Sequence, residues 1–96
     1  MGSESTNQLI HPGQILADEL VELELSPTEL SRRIGVPPNR VSQIINGKRD
    51  ISADTALRLG RYLGAGPEVW MNLQIAYDLA RAKVKLGIEL EKIRPW

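Results

Sequence analysis

Residues 26–47, SPTELSRRIGVPPNRVSQIING, contain two short helical patterns separated by a glycine turn. Ser26 is a favourable N-cap residue, proline follows at the first helical position, and Glu29 completes a capping box. A helix is therefore predicted over Pro27–Ile34. Gly35 stands where a helix end favours a left-handed residue, so the chain is expected to turn sharply there.

The second helix of this segment is predicted to begin at Pro38 and to end at Asn46 and Gly47. Pro37 is held extended by the proline that follows it, whereas Pro38 suits the first helical position. The apolar side of this helix consists of Val41, Ile44 and Ile45. A capped helix, a short turn and a second rigid helix form the geometry in which one helix crosses the DNA backbone and the next enters the major groove.

Three more helices are predicted around this segment. The first covers Pro12–Leu23 with His11 as its cap, and its apolar positions are Leu16, Leu20 and Leu23. A serine cap at Ser52 starts a helix over Ala53–Leu63, and Pro67 opens a long helix that ends at Leu86. The apolar stripe of the long helix is Trp70, Leu73, Ala76, Tyr77, Ala80 and Val84. The predicted fold class is all-α, with five helices.

Composition limits the chain to one domain of a soluble globular protein, because it has 96 residues, 42% of them hydrophobic and 25% charged. We expect an N-terminal tail over residues 1–9, the helical domain over 10–86 and a C-terminal tail over 87–96. No cysteine is present and there is a single histidine, so we expect no disulfide, no metal and no cofactor. Without a signal-like start or a long apolar run, we expect a cytoplasmic protein with no membrane contact.

Charge is unevenly distributed, although the formal net charge is zero. Residues 1–25 carry five acidic and no basic side chains, whereas residues 26–64 carry seven basic and three acidic ones. The excess of positive charge therefore coincides with the two-helix segment, as a one-sided contact with nucleic acid requires. The acidic side chains near the first helix are interpreted as a solvated face, or alternatively as a site for a basic partner.

The polar side of the second helix carries the residue types that recognise bases. Arginine pairs with guanine O6 and N7, and asparagine or glutamine pairs with adenine N6 and N7. The predicted base contacts are Asn39, Arg40 and Gln43. The predicted contacts to the DNA backbone are Ser42, Asn46, Lys48, Arg49 and Arg32. No nucleophile with a base, phosphate-binding loop or acid pair is present in the sequence, so we expect no enzyme and no catalytic residues.

The segment from 25 to 64, LSPTELSRRIGVPPNRVSQIINGKRDISADTALRLGRYLG, resembles the lambda-repressor-like (Xre) helix-turn-helix family. The flanking motifs HPGQIL and PEVWMNLQIAYDL are similar to those of HigA (VapI-type) antitoxins, over roughly residues 10–82. The resemblance implies a dimeric repressor of its own operon that binds a palindromic operator. It also implies neutralisation of a HigB-type toxin, a ribonuclease that cleaves mRNA.

Two departures from the family pattern leave alternatives open. Pro27 stands where many members have a glutamine that contacts a phosphate, and Pro37 and Pro38 replace a capping serine or threonine and a polar residue. One alternative is a protein-interaction module that has lost DNA binding through Pro37 and Pro38. The other is a free-standing Xre-type regulator without a toxin, which sequence alone barely separates from an antitoxin.

Assembly as a homodimer is predicted because one short recognition helix reads only a few base pairs. The long last helix offers more apolar positions than a small core needs. The predicted dimer or partner surface is Tyr77, Ala80 and Val84.

Overall fold

A computed structural model describes residues 9–96, and within that range all regular structure is helical. The helices are α1 Pro12–Leu23, α2 Pro27–Ile34, α3 Arg40–Ile45, α4 Ala53–Leu63, α5 Pro67–Leu86 and α6 Ile88–Glu91. The all-α prediction is confirmed, and α1, α2, α4 and α5 have the predicted bounds. Apart from Leu9, the tail predicted for residues 1–9 lies outside the described residues.

The helix ends follow the local signals in the sequence. The Oγ atom of Ser26 accepts a hydrogen bond from the Glu29 amide at 3.1 Å, and that of Ser52 accepts one from the Thr55 amide at 3.2 Å. Gly35 ends α2 with φ of 76°, a left-handed conformation that glycine adopts without steric cost. Ser26, Ser52 and Gly35 therefore begin or end their helices as predicted.

The start of the recognition helix was wrongly predicted. α3 begins at Arg40, two residues after Pro38, because the Arg40 amide donates a hydrogen bond to the Pro37 carbonyl at 2.9 Å. That bond closes a tight turn over residues 37–40. Asn39, with φ −95° and ψ 2°, is the N-cap residue of α3 and lies outside the helix.

The core lies between α1 to α4 and the first half of α5. Its buried apolar side chains are Leu16, Leu20, Leu30, Ile34, Val41, Ile44, Ile51, Ala56, Leu59 and Trp70. Leu23 was predicted to be part of this core but is 49% exposed, because α1 ends at this residue and the chain reverses through the left-handed Glu24. On α5 the predicted stripe is buried only at its start: Trp70 is 3% exposed and Val84 is 69% exposed.

Packing is strongest between helices that are close in the sequence. α4 packs on α5, α2 packs on α3 and α4, and α1 packs on α3 and α5. The closest approach is at Gly13, where an added Cβ atom would lie 2.0 Å from the Ile44 carbonyl oxygen. The tail predicted over residues 87–96 contains the short helix α6, which extends the chain beyond α5 with exposed side chains.

Candidate nucleic-acid interface

The two sides of α3 differ sharply in exposure. Val41 and Ile44 are fully buried, whereas Arg40, Ser42 and Gln43 are half-buried. Asn39 and Asn46, at the two ends of the helix, are exposed. The polar residues named from the sequence therefore lie on the accessible side of α3 and at its ends.

The loop after α3 folds back onto the helix. The Lys48 amide donates a hydrogen bond to the Gln43 carbonyl at 2.8 Å, and Gly47 allows this reversal with φ of 74°. The Arg49 Nε atom donates a hydrogen bond to the Gln43 Oε1 atom at 3.0 Å. Arg49, a predicted contact to the DNA backbone, and Gln43, a predicted base contact, are thus brought together. The basic loop borders α3.

Two other predicted backbone contacts already have hydrogen-bond partners within the chain. The Ser42 hydroxyl donates to the Asn39 carbonyl at 3.1 Å. On α2, the Arg32 Nε atom donates to a carboxylate oxygen of Glu29 at 3.2 Å, and the Arg33 Nε atom donates to the other oxygen at 2.8 Å. The hydrogen bonds from Arg32 and Arg33 lower the pKa of Glu29 to about 2.

Two contacts that hold α2 against its neighbours, one to α3 and one to α4, were not found from the sequence. The Ser31 Oγ atom accepts a hydrogen bond from the Val41 amide at 3.0 Å. At the end of α2, the Arg58 Nη1 atom donates to the Ile34 carbonyl at 2.8 Å, and its Nε atom donates to Asp54 at 2.7 Å. The Ser31–Val41 and Arg58–Ile34 contacts join residues on different helices, so no local pattern could have indicated them.

Comparison with known proteins places this interface in a family. A helix-turn-helix family model, HTH_3, matches residues 16–70. Virulence-associated protein I of Dichelobacter nodosus is 45% identical over 75 residues, which cover 77% of this chain and 69% of that protein. An addiction module antidote protein of a HigA family from Coxiella burnetii has a TM-score of 0.88 and 48% identity, covering 92% of this chain and 98% of that one.

A structure of the Pseudomonas aeruginosa antitoxin HigA with the higBA promoter has a TM-score of 0.87 and 45% identity, covering 91% of this chain and 97% of that one. The chain belongs to the HigA family of helix-turn-helix antitoxins. This confirms the family predicted from the sequence motifs. None of these three relatives is named as an enzyme.

In this HigA-family chain, contacts made by His11 and Gln74 connect the loop after α3 to α5. The His11 Nδ1 atom caps α1 by accepting from the Gly13 amide at 2.9 Å, as predicted, and its Nε2 atom lies 3.3 Å from an Asp50 carboxylate oxygen. The Tyr77 ring packs against this imidazole in a T-shaped arrangement, with ring centroids 4.8 Å apart. Gln74 adds a second link, because its Oε1 atom accepts from the Ile51 amide at 2.7 Å.

The predicted dimer or partner residues of this HigA-family chain lie on the second half of α5. Tyr77 and Ala80 are half-buried and Val84 is exposed. Tyr77 and Ala80 line a groove whose other walls are Ile10, Ile15, Leu73, Ala76, Leu79 and Lys83. The groove is largely apolar and lies beside the start of α1.

Over residues 9–96, no group of three or more histidine, cysteine or acidic side chains is arranged to hold a metal ion. Within the same range, no helix is both long and apolar enough to cross a membrane.

Proposed function

We propose that the chain is an antitoxin that binds the operator of its own operon, represses transcription from it, and neutralises a HigB-type mRNA-cleaving toxin. The observation that carries this proposal is the exposed polar side of α3, bordered by Lys48 and Arg49. It occurs in a chain that is 45% identical to a HigA antitoxin whose structure was solved with its promoter.

The recognition helix is proposed to enter the major groove with Asn39, Arg40 and Gln43 facing the base edges. The guanidinium group of Arg40 matches the two acceptors of guanine. Because Arg49 already donates to the side-chain oxygen of Gln43, the amide nitrogen of Gln43 is the group more readily available to a base. In this arrangement Gln43 donates to an acceptor such as purine N7, guanine O6 or thymine O4.

The remaining polar residues are proposed to set the position of the helix through phosphate contacts. Lys48 and Arg49 follow α3 directly and Asn46 is exposed at its end, so all three lie at one edge of the reading surface. Ser42 lies on α3 itself. Arg32 on α2 donates to Glu29 in the free protein, and its remaining N–H groups are proposed to contact a phosphate.

A homodimer is proposed to bind a palindromic operator, because two copies of α3 are needed to read a site long enough to be specific. Tyr77, Ala80 and Val84 are assigned to the dimer or toxin surface. Their support is the apolar groove on α5, which includes Tyr77 and Ala80 and is open to a partner.

Operator binding is tested with a labelled fragment of the DNA upstream of the chain's own gene, by fluorescence anisotropy. Arg40→Ala and Gln43→Ala should each weaken binding about 5- to 150-fold, as expected for losing one good base contact. Arg94→Ala is the control, since it removes an exposed positive charge from the C-terminal end. Unchanged affinity of both α3 variants would refute the assignment of the reading residues.

Toxin neutralisation is tested separately by co-expressing the chain with the product of the adjacent gene. Arrest of growth by that product, relieved equally by the wild type and by Arg40→Ala, supports the antitoxin role. Operator binding without an adjacent toxin gene indicates the free-standing regulator instead. Toxin binding without operator binding indicates the protein-interaction module.

A further inference from the structure

The recognition helix lacks a cap from its own N-terminal residues. The first amides of any α-helix have no partner within the helix and are usually satisfied by a side chain just before it. Pro37 and Pro38 have no side-chain acceptor, and among the described residues the Asn39 side chain makes no capping hydrogen bond. The first turn of α3, which carries Arg40, therefore depends on another part of the protein.

Ser31 supplies that cap from the neighbouring helix. Its Oγ atom accepts the Val41 amide hydrogen at 3.0 Å, across ten residues of sequence. Ser31 and Val41 are both 0% exposed, so water has no access to replace the hydroxyl. A buried amide that loses its partner keeps the full cost of desolvation, which makes this bond hard to break while the helix is in place.

We propose that Ser31 is a positioning residue for DNA reading, an inference that rests on the proposed operator binding. Through Val41 it ties the start of α3 to the middle of α2, while Arg58 holds the end of α2. Both ends of the turn between the helices are thereby fixed by side chains from outside it. The position of the first turn of α3, which carries Arg40, then depends in part on this hydroxyl.

Removing that hydroxyl leaves the Val41 amide buried without its partner, and the amide regains a partner when the first turn opens to water. Opening reduces the fraction of molecules in which α3 has the reading conformation. The apparent dissociation constant for the operator rises by the factor by which that fraction falls. Binding to random DNA depends mainly on phosphate contacts, so it changes much less.

The test compares Ser31→Ala with Ser52→Ala in the full chain. Both substitutions delete a hydroxyl that accepts a hydrogen bond from a backbone amide. Ser52, however, accepts from the Thr55 amide at the start of α4 and does not contact α3. Amide hydrogen exchange by NMR reports each bond directly. Anisotropy with the upstream DNA and with random DNA reports specific and non-specific binding.

For Ser31→Ala we expect at least about tenfold faster exchange at Val41 and about 5- to 10-fold weaker operator binding, with less than about twofold change on random DNA. Ser52→Ala should accelerate exchange at Thr55 and leave operator binding unchanged.

Three results would overturn the proposal. If amide exchange at Val41 is unchanged in Ser31→Ala, the Ser31 hydroxyl does not hold the start of α3, whatever the affinity for DNA. An equal loss of operator and random binding, or an equal loss in Ser52→Ala, shows a general structural effect. Failure of the wild type to bind its upstream DNA refutes the proposed function itself, and is recognised because it occurs without any substitution.

Discussion

Arg49 connects two kinds of DNA contact, because the guanidinium group that is proposed to meet a phosphate also holds Gln43. We expect Lys48→Ala to lower the logarithmic salt slope of operator binding by roughly 0.9 without changing base preference. Arg49→Ala should lower the slope by a similar amount and also change the preference at the base pair facing Gln43. Salt titrations on the operator and on versions altered at single base pairs measure both effects.

The two single variants serve as controls for each other, since each removes one positive charge from the same loop. A change in base preference in Lys48→Ala as large as that in Arg49→Ala would contradict the role given to Arg49. An unchanged salt slope in the double variant would place the phosphate contacts elsewhere.

Glu29 makes the stability of α2 sensitive to acid. Its pKa is about 2 in the folded protein, below the ordinary value of 4.5, because Arg32 and Arg33 donate hydrogen bonds to its charged form. A lowered folded-state pKa contributes stability that is complete above about pH 4.5 and is lost as the pH falls toward 2. We expect Glu29→Gln to reduce the fall in Tm over this range, measured by circular dichroism.

The control for Glu29→Gln is Glu22→Gln, which removes an exposed acidic group from α1. It should leave the decline of Tm between pH 4.5 and 2 closer to that of the wild type. An identical decline in wild type and Glu29→Gln would show that the ion pair contributes nothing to folding.

At the scale of the helices, α1 and α3 meet backbone to backbone at Gly13. Alanine is normally the better helix former by about 1 kcal/mol, but here its Cβ atom would lie 2.0 Å from the Ile44 carbonyl oxygen. We expect Gly13→Ala to lower the free energy of unfolding by about 2 kcal/mol or more, because the helices must move apart. Urea unfolding measures this loss.

Gly66→Ala is the matched control, since Gly66 has φ of −63° and its added Cβ would meet only the flexible carboxylate of Glu68. It should cost less than about 1 kcal/mol. Equal stability of Gly13→Ala and the wild type would mean that the two helices are not in close backbone contact.

Helix bounds were predictable wherever a helix depends on its own neighbours in sequence. Ser26 and Ser52 cap the helices they precede, so the few residues around each serine are enough to predict where the helix begins. The start of α3 was not predictable in this way, because Pro37 forms a hydrogen-bonded turn with Arg40. A proline pair is compatible with either arrangement.

The accessible polar side of α3 was predictable because burial of Val41 and Ile44 determines which residues of α3 face outward. The contacts that support the site were not predictable, since each joins a side chain to a backbone group that is distant in sequence. Ser31 meets Val41 and Arg58 meets Ile34 only after the helices have packed. Leu23 was wrongly assigned to the core. Its spacing matches the core positions, but it is the last residue of α1 and is half exposed.

For the whole molecule, the proposed dimer gives a prediction with an internal control on one helix. Ala80 lines the α5 groove, whereas Ala82 lies two residues further along α5 and is exposed beside Asp78 and Arg81. Ala80→Glu should convert a particle near twice 10.7 kDa into a monomer, while Ala82→Glu remains dimeric. A charge buried in an apolar interface without a partner is strongly unfavourable, which explains the difference.

Light scattering at tens of micromolar measures the mass of each variant, and footprinting reports the length of DNA covered. A dimer places its two recognition helices roughly 34 to 36 Å apart on an inverted repeat. A monomeric wild type that protects a single half-site would refute the dimer. Loss of the dimer in both Ala80→Glu and Ala82→Glu would show that the interface is not confined to the groove.

Much of the helix packing joins elements that are near each other along the chain, as α2 with α3 and α4 with α5, and this has a kinetic consequence. Helical domains built from such short-range contacts fold in microseconds to milliseconds, because little loop entropy is lost before contacts form. Ribosomes add only about 5–20 residues each second, so synthesis is far slower than folding. After a change in expression, the rise in active protein is therefore limited by translation, with no lag from folding.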